Sequence, residues 1–140
     1  MRFLFVDEDW EIEILVEILQ QVNPSHTFDL ASTLSEARAV IWKAKFDALI
    51  LDLMMPPDET AVRESSRHGG LYSGLRLAEL IRGDAGGPNH QTPIVFLTGL
   101  TVPEVHHQET WKRIPFSSIV FKPVRPDELF SRLTGLSDNS

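Results

Sequence analysis

The chain is 140 residues long, carries 13 basic against 20 acidic residues for a net charge of -7, and has no cysteine. One domain with its own core fits that length, while the acidic balance and the lack of any dense basic stretch argue against direct nucleic-acid binding. The missing cysteines exclude a disulfide framework and a thiolate metal site, and they suit a reducing compartment. Met1 to Val6 is apolar but meets Asp7, Glu8 and Asp9 at once. That is too short for a signal peptide or a membrane span, so a cytoplasmic protein with no membrane attachment is expected.

In chain order, Phe3 to Val6 reads as a buried strand closed by the acidic triplet. A helix follows, with Ile12, Leu15, Val16 and Leu19 on one face, Asp9 near its positive end and Asn23-Pro24 as its stop. Thr27 to Ala31 is a second strand. Ser32 or Ser35 is expected to cap the next helix, whose apolar face carries Leu34, Ala37, Ile41 and Ala44. The run from Phe46 to Pro56 holds a third strand, Ala48 to Leu51, and then breaks into Asp52.

Past it lies a long polar passage from Pro57 to Gly70, and helical periodicity resumes only at Leu75, Leu77, Ala78, Leu80 and Ile81. Connections in α/β units usually take about 2 to 6 residues, so this one is either functional or disordered. Asp84 to Asn89 reads as a turn, Ile94 to Leu97 as a fourth strand, Pro103 to Arg113 as a helix and Ile119 to Phe121 as a fifth strand. Pro126-Asp127-Glu128 opens the last helix, and the polar tail from about residue 135 to 140 is expected to be disordered.

Alternating strands and amphipathic helices imply an α/β fold with a parallel sheet covered on both faces. All carboxyl strand ends then share one edge. The first strand delivers Asp7 and Glu8 there, the third Asp52, the fourth Thr98 and the fifth Lys122. Crowded carboxylates push one another toward protonation, and a hard divalent cation with room for water and phosphate, Mg²⁺ above all, relieves this. A lysine and a threonine beside it are groups that hold phosphoryl oxygens. The set fits phosphoryl transfer with Asp52 as the nucleophile.

Each of these residues alone has a plainer reading: Asp52 as a loop cap, Thr98 as a backbone-satisfied hydroxyl, Lys122 as a solvated cation. A slip in register would make Asp9 a ligand. His106 and His107 are neighbours on a predicted helix and point apart, so they are read as surface residues. Trp10, Trp42 and Trp111 share no spacing and are read as packing or edge residues.

The pieces Phe5-Val6-Asp7-Glu8, Leu49 to Pro56, Gly74-Leu75-Arg76-Leu77, Val95 to Gly99 and Phe121-Lys122-Pro123 together resemble the receiver domain of two-component response regulators, the stand-alone chemotaxis type in layout. The resemblance runs from about Phe3 to Leu133. It implies a flavodoxin-like, doubly wound (βα)5 domain over residues 1–134, with strand order 2-1-3-4-5, an inserted loop at about 57–73 and no output domain beyond Leu133. It further implies that Asp52 accepts phosphate from a sensor histidine kinase or a histidine phosphotransfer protein, and that the chain is a signalling module rather than an enzyme. Its downstream target stays unknown.

Within the implied site, Glu8 and Asp52 ligate Mg²⁺ directly, Asp7 directly or through water, and Met54 through its carbonyl. Thr98 is the switch hydroxyl, Lys122 pairs with the phosphoryl group, Lys122-Pro123 is a bond usually cis in the family, and Gly99 leaves room for phosphate.

Two departures stand out. The family's glycine eight residues past the acceptor is matched best by Gly74, and 74 minus 52 is 22, so the loop carries about 14 extra residues. The expected role of that loop is to restrict kinase docking or hydrolysis of the acyl phosphate, with plain disorder as the alternative. Three residues before the lysine, where an aromatic ring is common, stands Ile119. An aliphatic side chain cannot swing as a ring does, which puts the usual readout in doubt. A phosphate-independent adaptor is the main rival. An aspartate-nucleophile phosphatase typically has a second acid where Met54 stands, and Asp7-Glu8-Asp9-Trp10 would repel the phosphate of a flavin.

Overall fold

Five short runs rich in aliphatic and aromatic residues form strands β1 (Arg2–Val6), β2 (Thr27–Ala31), β3 (Ala48–Leu51), β4 (Ile94–Thr98) and β5 (Ser117–Phe121). All pair in parallel, in the order β2-β1-β3-β4-β5. The computed structural model describes residues 1–53, 73–83, 87–99 and 112–138. Its helices are α1 (Trp10–Val22), α2 (Leu34–Ile41), α3 (Ser73–Gly83) and α4 (Pro126–Asp138).

The pleat sends alternate residues to opposite faces, so each strand feeds two cores. Leu4, Val6, Leu49, Leu51, Ile94 and Phe96 pack with Leu34, Ala37 and Ile41 of α2 and with Leu77, Ala78 and Ile81 of α3. Phe3, Phe5, Ile50, Val95, Leu97 and Val120 pack on the other side with Ile12, Leu15, Val16 and Leu19 of α1 and with Leu129 and Leu133 of α4. Burial on both faces is why β1, β3 and β4 read as continuous apolar runs rather than alternating ones. Because the sheet grows outward in both directions from β1 and β3, a switch point lies at their carboxyl ends, where such folds form a crevice.

Several boundaries differ from expectation. Helix α2 is capped by Thr33, not by Ser32 or Ser35: its side chain accepts from Glu36 N at 3.1 Å, while Glu36 reaches back to accept from Ser32 N at 2.9 Å. The Thr-x-x-Glu spacing selects that residue. Strand β5 begins at Ser117, two residues before Ile119, because backbone pairing with Ile94 and Val95 continues under polar side chains. Ser73, expected in the loop, is already the first residue of α3. Helix α4 runs on to Asp138, with Leu136 packed against the core, which corrects the disordered tail placed from residue 135. The inserted loop through residue 72, Met54 and the predicted helix at 103–113, apart from Lys112 and Arg113, lie outside the described residues.

The edge opposite the strand carboxyl ends is held by polar ties that leave no periodic trace in the sequence. Buried Asn89 accepts from Phe46 N at 2.9 Å and donates to the carbonyls of Ile41 and Ala44 at 2.6 and 2.7 Å. Arg82, on the last turn of α3, donates to the carbonyls of His90, Thr92, Pro115 and Phe116 at 3.0, 2.6, 2.7 and 3.2 Å. Burial pushes its guanidinium down to about 10, so it stays charged at neutral pH. One side chain thereby joins α3 to the approaches of β4 and β5. Arg82→Met keeps the apolar stem but strands these acceptors, and a loss of about 2 kcal/mol is expected in urea unfolding. An unchanged midpoint would show that water replaces the guanidinium at no cost.

Candidate functional site

Backbone register brings the site together. Asp52 N donates to Val6 O at 3.0 Å, Asp7 N to Ala31 O at 3.1 Å and Lys122 N to Thr98 O at 2.8 Å, so each residue leaves its strand on the same edge. The Lys122-Pro123 bond is cis, as the resemblance implies. Lys122 then sits among carboxylates: its Nζ is 2.8 Å from Asp7 Oδ2, 3.7 Å from Asp52 Oδ2 and 3.8 Å from Asp9 Oδ2.

Asp7 is only 3% exposed, its Oδ1 accepts from Asp9 N at 2.9 Å, and among the described residues no neutral donor reaches its Oδ2. Burial is the main force on its carboxyl and raises it above the ordinary 3.8; the Lys122 and Asp9 hydrogen bonds oppose this, and the charge of Asp52 adds to it. Burial alone would lower Lys122. The hydrogen bond with Asp7 and the charges of Asp52, Asp7 and Asp9 together outweigh burial and hold the ammonium above its ordinary value.

A raised acid in the folded state means that folded chains keep a proton where unfolded chains have lost it. Stability therefore falls as pH rises from 3.8 through the folded value, and the penalty is complete above it. In metal-free solution Asp7→Asn is thus expected to melt above the parent at neutral pH, Lys122 still having Asp52 and Asp9 as partners. The difference should vanish below 3.8. Melts of both proteins in chelator across that range check it, and a variant less stable at neutral pH would contradict it.

Of the residues the sequence singled out, Asp7, Asp52 and Lys122 are brought together. Thr98 is fully buried at the end of β4, its carbonyl bonded to Lys122 N. Glu8 stands exposed and is not among the carboxylates that Lys122 reaches. Asp9, expected to favour the helix and to join the site only on a slip in register, lies within that reach. Asp9 does cap α1, its Oδ1 accepting from Glu11 N at 3.2 Å, and that bond turns its other oxygen toward Lys122. A side chain at Gly99 would meet open space, consistent with the room expected beside Thr98. Ile119 is half-buried and packs against the core.

Three carboxylates against one ammonium leave an uncompensated charge of about two. Oxygen donors in excess of local positive charge have the chemistry that suits a hard divalent cation, while among the described residues no three of these side chains converge closely enough to hold one by themselves. The arrangement also offers a nucleophilic carboxylate, Asp52, beside a cation able to stabilise a transferring phosphoryl group.

Comparison with known proteins agrees with this geometry. No protein-family model matches the chain. The regulatory protein VanR of Enterococcus faecium is 33% identical over 132 residues, which cover 94% of this chain and 48% of VanR. The chain thus spans about half the length of that curated relative. Among solved structures, the chemotaxis response regulator CheY4 of Vibrio cholerae has a TM-score of 0.73 at 25% identity, covering 96% of this chain and 97% of its own. The receiver domain of the Francisella response regulator 1452 shares the fold at a TM-score of 0.69 and 22% identity, covering 99% of this chain and 97% of its own. With the strand order, the acid-lysine cluster at its carboxyl edge and a relative matching nearly the whole sequence, the chain belongs to the receiver domains of two-component response regulators.

Proposed function

We propose that the chain receives a phosphoryl group on Asp52 from a sensor histidine kinase or a histidine phosphotransfer protein, and passes the signal on by protein contact. What carries this reading is the Lys122 ammonium held between Asp7 and Asp52 at the carboxyl edge of the sheet. An Asp52 carboxylate oxygen forms a bond to phosphorus while the phosphorus–nitrogen bond of the donor histidine breaks, and the imidazole leaves with the bonding pair and takes up a proton. Lys122 balances charge on the phosphoryl oxygens, and the Thr98 hydroxyl donates to one of them once it turns inward.

Mg²⁺ would be held by Asp7 and Asp52, with Glu8 and the Met54 carbonyl as further members on the resemblance alone, and it would neutralise the charge of the incoming group. Among the described residues no helix is long and apolar enough to cross a membrane, and a cytoplasmic location is proposed with the function.

The test is to incubate the chain with Mg²⁺ and acetyl phosphate and weigh the intact protein, with Asp52→Asn as control. One added phosphoryl group on the parent and none on the variant is expected. No adduct under any condition would favour the phosphate-independent adaptor, and turnover of phosphate esters would favour a phosphatase.

A further inference from the structure

The two edges of the sheet carry opposite charge. Acids gather at the carboxyl edge, whereas cations gather at the amino edge of β3, β4 and β5: Lys45 ahead of β3, Lys112 and Arg113 ahead of β5, all three exposed, and Arg82 at the end of α3. Lys45 Nζ donates to Thr92 Oγ1 at 2.9 Å, and Arg82 gives its N–H groups to backbone carbonyls, so neither charge is cancelled by these bonds. The described acids on the adjoining elements are engaged elsewhere: Asp47 accepts from Arg2 N at 2.7 Å, and Glu79 pairs with Arg76 at 3.2 Å. In a chain at -7, a locally cationic surface draws an acid-rich segment while the rest of the molecule repels it.

Phe116 stands among these cations. Its ring is 62% exposed and its backbone sits at φ 55°, a left-handed conformation that bulky side chains rarely adopt. Its carbonyl explains the backbone, accepting from Ile94 N at 2.9 Å and from Arg82 at 3.2 Å as β5 begins, but nothing in that turn requires a ring. Glycine would make the same turn without strain. One exposed apolar residue is ordinary; one held at a backbone cost, with a guanidinium carbon 5.7 Å from its ring centroid, has the aromatic and arginine content of an interface core. A nucleic acid or an anionic lipid surface would extend past the patch to exposed Asp47 and Glu79, so the fit is to a short segment.

We propose that the amino edge around Phe116, Lys112 and Arg113 docks an acidic segment of a partner protein, one apolar side chain of that segment lying against the Phe116 ring. Phe116 is six residues from Lys122 along β5, about 20 Å at some 3.3 Å per residue, so the docked segment stays bound whatever the state of Asp52. The inference does not rest on the receiver reading.

Two peptides of equal length, one with a single leucine among aspartates and one with it among lysines, are titrated into the full chain and followed by backbone amide shifts. The aspartate peptide is expected to bind at least about tenfold tighter, to shift amides at residues 90–94 and 112–118, to weaken with added salt and to bind Asp52→Asn like the parent. Phe116→Gly should weaken that binding at least about tenfold yet melt no lower than the parent, since it relieves the backbone. The double variant Lys112→Glu, Arg113→Glu should lose the binding as well. Equal affinity for the two peptides, no binding of either, shifts confined to the carboxyl edge, or loss of binding in Asp52→Asn would overturn the proposal. So would a Phe116→Gly chain that melts well below the parent, because the ring would then serve to cover Arg82. Tighter binding of an oligonucleotide or of phosphatidylserine vesicles, or self-association abolished by the double variant, would overturn it in favour of that occupant.

Discussion

Replacing Gly74 by alanine is expected to lower stability by about 3 kcal/mol or more in urea unfolding and to slow labelling of Asp52 with it. A Cβ at this position would lie 1.8 Å from the Asp52 carbonyl oxygen, 2.8 Å from its carbon and 3.1 Å from Leu53 Cα. The two nearest are backbone atoms of the very residue proposed to accept phosphate, so relief requires moving either the start of α3 or Asp52 itself. The contact is close because Gly74 N donates to Leu53 O at 3.2 Å, drawing the helix onto the end of β3. Gly83 in the same helix is the internal control, for a Cβ there meets nothing within 4 Å. Gly83→Ala should be neutral or gain about 0.5–1 kcal/mol. Similar losses at both positions would mean that helix propensity, not the approach to Asp52, governs Gly74.

Lys122→Met should produce a second large effect. Among the described residues it removes the only cation paired with Asp7, Asp9 and Asp52, and it leaves Asp7 buried without that compensation. Breaking a buried pair from one side costs about 3–5 kcal/mol, and because the ammonium is partly open to solvent the low end, about 3 kcal/mol, is expected at neutral pH. The pH dependence has a definite sign. With its carboxyl already raised by burial, Asp7 in the variant takes up a proton on acidification sooner than the unfolded chain does, so the deficit relative to the parent should shrink as pH falls. Urea midpoints of both proteins at neutral and mildly acidic pH measure this. A variant as stable as its parent at neutral pH would show that the lysine does not offset the acids.

How far the sequence disclosed these features depends on how local each cause is. The runs at β1, β3 and β4 are buried on both faces, so composition alone marks them, and Asp52 follows because the apolar run stops there. The glycine at 74 was legible only through resemblance across about 14 extra residues, since its need for a missing side chain arises from the backbone of Asp52. Asn89 and Arg82 act through carbonyls up to tens of residues distant, which no periodicity reveals. Of the three consecutive acids after β1 the sequence favoured Asp7 and Glu8 for the site over Asp9, and strand alternation gives no guide once the chain leaves the sheet. The cap bond from Glu11 N is what brings Asp9 within reach of Lys122. Thr33 is different: its Thr-x-x-Glu spacing was present in the sequence and sufficient to name the cap.

The central claim is that Asp52 itself takes the phosphoryl group, and chemical trapping tests it at the level of the residue. Borohydride reduces an aspartyl phosphate to homoserine, so the chain is treated with Mg²⁺ and acetyl phosphate, reduced, digested and sequenced by tandem mass spectrometry. Homoserine at position 52, absent when Mg²⁺ or the donor is left out, is the expected result. Homoserine at Asp7, Asp9 or any other acid with position 52 unmodified, or an unmodified chain throughout, would contradict it.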